Sequence, residues 1–137
     1  MEIPMHVGGC ACGGVRYEVE GELEPIQLCH CSVCRKASGT AFAANIPVRA
    51  ADFRLTSGED LLRGFESSPG KIRTFCSVCG SPLHSRTSAL PGVLRLRAGT
   101  LDAPVAARPG LHIYATSKAD WWEIADDLPR YPGSRPS

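Results

Sequence analysis

The segment "VRYEVE", residues 15–20, alternates strictly, with Val15, Tyr17 and Val19 on one side and Arg16, Glu18 and Glu20 on the other. A period of two is the signature of a half-buried strand. "AFAANIPV" alternates as well, Phe42, Ala44, Ile46 and Val48 pointing one way. Pro47 falls on the opposite face and predicts an edge or a strand end, because proline has no N–H to give to a ladder. "DFRLTSG" reads as a short strand closed by a Ser57-Gly58 turn, and "GKIRTFC" as a strand leaving a Pro69-Gly70 turn. "GVLRLRAGTLD" sets Leu94 and Leu96 against Arg95 and Arg97 before breaking at Gly99. "LHIYATSKADWWEIADDLPRYPG" predicts a strand, then a turn or one short helix around Lys118 to Ile124. Only that stretch and Cys34 to Gly39 look helical. The pattern predicts a mainly β chain of many short strands, loose after Pro129.

Composition narrows the function more than the fold. A length of 137 residues suits one domain, expected over 1–133 with a loose tail at 134–137. The net charge of +1, without runs of like charge, gives no electrostatic footprint for nucleic acid or an anionic membrane. No apolar stretch approaches the roughly 20 residues that span a bilayer, and "MEIPMHVGG" has neither the basic nor the apolar part of a secretory leader. The expected compartment is therefore the cytoplasm, where thiols stay reduced. Seven cysteines in such a compartment argue for metal rather than disulfides, and an odd number cannot all pair within one chain.

The cysteines fall into three groups: Cys10 and Cys12, then Cys29, Cys31 and Cys34, then Cys76 and Cys79. "CSVCG" has the shape of a zinc knuckle, with Gly80 free to take the positive φ that turns backbone N–H groups toward the sulfurs. A redox dithiol is the competing reading, but Gly80-Ser81-Pro82 spoils the helix it would open. In "GGCACGG", residues i and i+2 of an extended strand face one side, so Cys10 and Cys12 can grip one ion together. Joining the two pairs into one closed four-cysteine zinc is the economical reading. "CHCSVC" then keeps three thiolates of its own. Three protein ligands and an open position characterise catalytic zinc, whereas structural zinc is closed. Completion by His6, His30, His84 or His112 is the alternative, although extended geometry turns His30 away from its two cysteine neighbours.

These groups, in order, resemble the glutathione-dependent formaldehyde-activating enzyme and CENP-V family. The resemblance is carried by "CACGGVRYEV", "CHCSVCRKASGTAFAA" and "FCSVCGSPL", with "RAGTLD" and the late tryptophan-containing segment in support. It implies an Mss4-like (β-tent) fold of short antiparallel strands with little helix. It also implies two zinc ions: a structural one on Cys10, Cys12, Cys76 and Cys79, and a catalytic one on Cys29, Cys31 and Cys34. The implied activity is that of a zinc-dependent carbon–sulfur lyase acting on thiol–aldehyde adducts, joining glutathione and formaldehyde as S-(hydroxymethyl)glutathione. Expected partners are a small thiol, glutathione or similar, and an aldehyde, with a homodimer as the candidate assembly.

A thiol that coordinates a metal is deprotonated outright, so an open three-thiolate zinc suits activation of a substrate thiol for attack on formaldehyde. Arg35, Lys36 and Ser38, immediately after the third cysteine, are the candidate substrate-binding residues: arginine clamps a carboxylate in two places, and a serine hydroxyl can meet a sulfur. Trp121 and Trp122 read more readily as packing than as a substrate wall, and Asp126 and Asp127 as a turn or cap. The competing function is a non-catalytic zinc scaffold that binds a partner, since fold alone decides no activity.

Overall fold

The computed structural model describes residues 2–135. Ten strands build two sheets. Three of them, β1 (Met5–Gly9), β2 (Arg16–Glu20) and β5 (Phe53–Ser57), form a small sheet in the order β1-β2-β5. The other seven are β3 (Ile26–Cys29), β4 (Ala43–Arg49), β6 (Leu62–Ser68), β7 (Lys71–Cys76), β8 (Pro82–Thr87), β9 (Val93–Arg97) and β10 (Pro109–Ile113). They lie in the order β10-β3-β4-β9-β8-β7-β6. One α-helix, α1 (Ser32–Ser38), links β3 to β4. The chain is mainly β, as the alternating pattern predicts. Among the described residues no helix is long and apolar enough to cross a membrane.

The core explains why the sheets meet. Tyr17 and Val19 from the small sheet, with Val15 just ahead of β2, pack against Ile46, Val48, Leu94 and Leu96 from the large one, and all are buried. The register sets Ile46 opposite Leu96 and Val48 opposite Leu94, so these four share the inner face of the large sheet. His84 joins that face opposite Leu96 and stacks edge-on against Phe53 at 5.4 Å. Burial of this apolar set is the main favourable term in holding the sheets together. The alternate residues of β4 and β9, Asn45, Arg95 and Arg97, therefore face outward, as does Arg73 on β7 in the row of Ser85 and Arg95.

Several local expectations change. Pro47 lies in a central strand, not at the sheet edge; pairing with β3 stops at Gln27↔Asn45, so only the β9 side is paired at Pro47. One strand pair, β3 with β10, is parallel. No helix forms over Lys118–Ile124; a single 3-10 turn at Ala115–Ser117 precedes it. The segment after Pro129 is tied down rather than loose. Backbone bonds run from His112 N–H to Pro129, from Tyr131 N–H to His112, from Ala115 N–H to Tyr131 and from Tyr114 N–H to Gly133. Residues 136 and 137 of the expected tail lie outside the described residues.

Candidate functional site

All seven thiols are free and gather into two clusters. In the first, the sulfurs of Cys10, Cys12, Cys76 and Cys79 lie within 4.8 Å of one another. Cys76 ends β7 on the inner face of the large sheet, and Cys79 follows in the turn toward β8. That turn has the knuckle form: Gly80 N–H donates to the Cys76 carbonyl at 2.8 Å, and Gly80 takes φ 78°. Cys10 and Cys12 come from the turn between β1 and β2 rather than from a strand. The turn works as well as a strand would. It brings Cys10 Sγ to 3.5 Å from Cys12 Sγ, and Cys12 Sγ to 3.9 Å from Cys76 Sγ. Val15 N–H points at Cys10 Sγ at 3.2 Å, and Ser81 Oγ lies 3.2 Å from Cys79 Sγ. Four sulfurs around a tetrahedral zinc with bonds of ~2.3 Å would be about 3.8 Å apart, so this donor set fits the ion.

The second cluster holds the sulfurs of Cys29, Cys31 and Cys34, again within 4.8 Å of one another. Cys29 is the last residue of β3, Cys31 is the N-cap of α1, and Cys34 sits one turn in. Cys34 N–H donates to Cys31 Sγ at 3.3 Å, so the thiol acts as the helix cap that serine or aspartate supplies elsewhere. Hydrogen bonds from the thiols of Cys29 and Cys34 push the Cys31 thiol far below its ordinary range, and the helix-start N–H and Arg73 act in the same direction. The Cys29 thiol is pushed up because its proton is shared with its two neighbours. Three sulfurs drawn this close make a donor set that suits a soft metal ion.

His30 does not join this cluster. It is fully buried and bonds His112, with Nε2 2.8 Å from His112 Nδ1. His112 Nε2 in turn lies 3.0 Å from Asp126 Oδ2. The His112 contact holds the Asp126 carboxyl below the usual carboxylate range. Asp126 also accepts from Leu128 N–H, the expected turn, so its second role toward His112 was invisible in "IADDLP". Trp122 packs edge-on against Phe42 at 6.0 Å, on the same side as His30.

A cleft of about 570 Å³ opens over the three sulfurs. Arg35, Lys36 and Ser38 do not line it. Ser38 Oγ is turned to the carbonyls of Cys34, Arg35 and Phe42, which ends the helix together with Gly39 at φ 72°. Arg35 Nε reaches the His30 carbonyl at 3.4 Å, and Lys36 is exposed. The basic groups in the cleft come from far along the chain: Lys71, Arg73, Arg95 and Arg135. Arg73 is buried, and its guanidinium nitrogens lie 3.6 and 3.7 Å from Cys34 Sγ, with Nε donating to Ser67 Oγ at 3.0 Å. Arg97, also buried, donates to Asn45 Oδ1. Burial, then the Arg73 charge, holds the Lys71 ammonium below its ordinary range. Tyr114, at the rim, has φ 53°, a left-handed conformation uncommon for a non-glycine residue.

The pattern offered only weak signals for these residues. Arg95 and Arg97 alternate with Leu94 and Leu96 and look solvated in the pattern, whereas Arg97 is buried and Arg95 half-buried at the cleft.

The glutathione-dependent formaldehyde-activating enzyme family matches residues 5–117. A Halomonas elongata protein, provisionally named a glutathione-dependent formaldehyde-activating enzyme, is 32% identical over 126 residues, covering 85% of this chain and 79% of its own. A crystal structure of a Rhodobacter sphaeroides protein has the same fold, with a TM-score of 0.62 at 24% identity. The match covers 74% of this chain and 97% of that one.

Proposed function

The chain belongs to the glutathione-dependent formaldehyde-activating enzyme family, and from that premise we propose that it is a carbon–sulfur lyase that interconverts glutathione plus formaldehyde with S-(hydroxymethyl)glutathione. The observation that carries the reading is the difference between the two clusters: four sulfurs close one site, and three sulfurs under a basic cleft leave a place in the other. Cys10, Cys12, Cys76 and Cys79 would hold a structural zinc, and Cys29, Cys31 and Cys34 a catalytic one. When bound there, zinc lowers the pKa of an entering thiol so that it reacts as a thiolate at neutral pH.

The chain's own residues supply the setting. Arg73, in the cleft beside the sulfurs, sets its charge against Cys34 Sγ and fixes that ligand. Arg97 and Asn45 hold each other in the floor, keeping a buried cation next to the sulfurs. The cleft walls hold the thiol and the aldehyde together, and that alone removes much of the entropic barrier to joining them. In the addition the thiol sulfur bonds the aldehyde carbon, and the thiol proton ends on the former carbonyl oxygen. In reverse the carbon–sulfur bond breaks and both partners leave. Free cysteines throughout suit a reducing, cytoplasmic setting.

The test is exchange of glutathione-bound and free formaldehyde, followed by NMR line broadening with and without the zinc-loaded protein. Acceleration that is lost in Cys31→Ser is the expected result. An unchanged exchange rate would leave a zinc scaffold and remove the lyase.

A further inference from the structure

Among the described residues, four cations border the three-sulfur cleft and no carboxylate does. Their placement follows from strand register. Arg73 on β7 lies opposite Ser85 on β8, which lies opposite Arg95 on β9; Lys71 lies opposite Thr87, one outward-facing row further on. Because Arg73 reaches Cys34 Sγ, this row of cations and the sulfurs share the outer face of the sheet. The four ion pairs among the described residues lie elsewhere, at Arg16–Asp102, Arg49–Asp52, Arg54–Glu18 and His112–Asp126.

The charges do not balance with the protein alone. Three thiolates around a divalent ion would carry −1, which Arg73 and the buried Arg97 already offset. Among the described residues, the side chains of Lys71 and Arg95 make no hydrogen bond or ion pair, though each is only partly exposed. They lie two strand spacings of ~4.8 Å apart, with β8 between them, so the two charges border the cleft side by side rather than stacking in one spot. Half-buried cations without partners are costly unless a ligand supplies the anion.

Resting on the thiol-site reading above, we infer that Lys71 and Arg95 form a carboxylate-binding wall. They select, for the three-sulfur site, thiols that carry a carboxylate over neutral thiols of the same size. Arg95 offers the planar fork that pairs with a carboxylate in two places, and Lys71 a point charge on a flexible stem.

Calorimetric titration of the zinc-loaded protein with glutathione and with glutathione diethyl ester tests this without any formaldehyde chemistry. Wild type should bind the free acid about tenfold or more tightly than the ester, the scale of a charge-assisted hydrogen bond. Lys71→Met and Arg95→Met should each shrink that ratio several-fold, and the double variant should bring it close to one. Lys71→Arg and Arg95→Lys should retain most of it. Arg108→Met, which removes a charge outside the cleft, should leave the ratio unchanged. Inorganic phosphate should compete weakly with the acid and not with the ester. Equal binding of acid and ester by wild type overturns the inference whatever the variants do, as does a double variant that folds and keeps the ratio. Binding of neither thiol also overturns it. Discrimination without formaldehyde exchange would remove the lyase and keep the wall; exchange without discrimination would do the reverse.

Discussion

The two faces of the seven-stranded sheet carry the same metal-binding chemistry in opposite surroundings. The inner face ends at the four-sulfur cluster, where Cys76 belongs to the apolar core and Val15 N–H meets Cys10 Sγ. That cluster joins the β1–β2 turn to the β7–β8 turn, so an ion there would tie the small sheet to the large one. The outer face carries the three-sulfur cluster, which joins only the end of β3 to the start of α1. It sits beside buried arginines and an open cleft. Ligand type therefore does not separate the two; what lies around the sulfurs does. On the proposed reading, the crosslink between distant segments would act on folding, and the local cluster under a charged cleft on a ligand.

The sharpest way to break that comparison is to remove one sulfur from each face. Cys79→Ser should unfold or aggregate the protein, since a structural zinc site supplies on the order of 10 kcal/mol of folding free energy. Cys31→Ser should keep the fold and reduce two zinc ions per chain to one. Zinc counting together with circular dichroism decides it: equal damage from both variants, or one zinc in the wild type, would end the two-role description.

A smaller effect should come from His84, the buried histidine on the inner face. Burial pushes it down to about 4, with Arg86 and Arg97 acting in the same direction. It is neutral in the folded protein, while an unfolded chain takes up a proton below its ordinary pKa of ~6.5. Its contribution to stability is thus complete above pH ~6.5 and is lost progressively as the pH falls toward 4, by about 3 kcal/mol at most. Denaturant midpoints of wild type and His84→Gln, measured from pH 7 to 4, should converge as the pH falls. Parallel curves would show that the inner face tolerates that charge.

The smallest expected effect sharpens the outer face. Arg73→Met should weaken metal binding at the three-sulfur site about tenfold, typical of residues that orient a ligand, and leave the four-sulfur site unchanged. Arg73→Lys should recover part of it. Chelator competition resolving a fast and a slow zinc reads the two sites separately; a shift in both would make Arg73 a general stabiliser.

Much of the fold was readable from the alternating segments, and the reasons for the gaps are physical. β2, β5, β7 and β9 alternate because one side meets the core and the other carries polar groups. β8 escaped notice because Leu83, His84 and Ser85 are buried in succession, which erases the period of two. β6, at the sheet edge, is largely exposed and shows no pattern. Lys118–Ile124 has helix-like composition, yet it makes only a turn, closed by Trp122 N–H on the Ala119 carbonyl, with Lys118 Nζ on the Trp122 carbonyl. Ser38, the candidate for the substrate, instead closes the helix end.

Sequence by itself determined the local cysteine sets, Cys10 with Cys12, Cys29 with Cys31 and Cys34, and Cys76 with Cys79, because each needs only local geometry; the meeting of the first with the last is tertiary. It also pointed to the family through the order of those groups. Tertiary structure alone decided which groups meet the sulfurs. Arg73 is 39 residues from Cys34, and Lys71 and Arg95 reach the cleft only through the register of β7, β8 and β9. A shift of one residue in that register would turn all three cations to the inner face. Spacing along a chain carries no record of which face a strand presents to another.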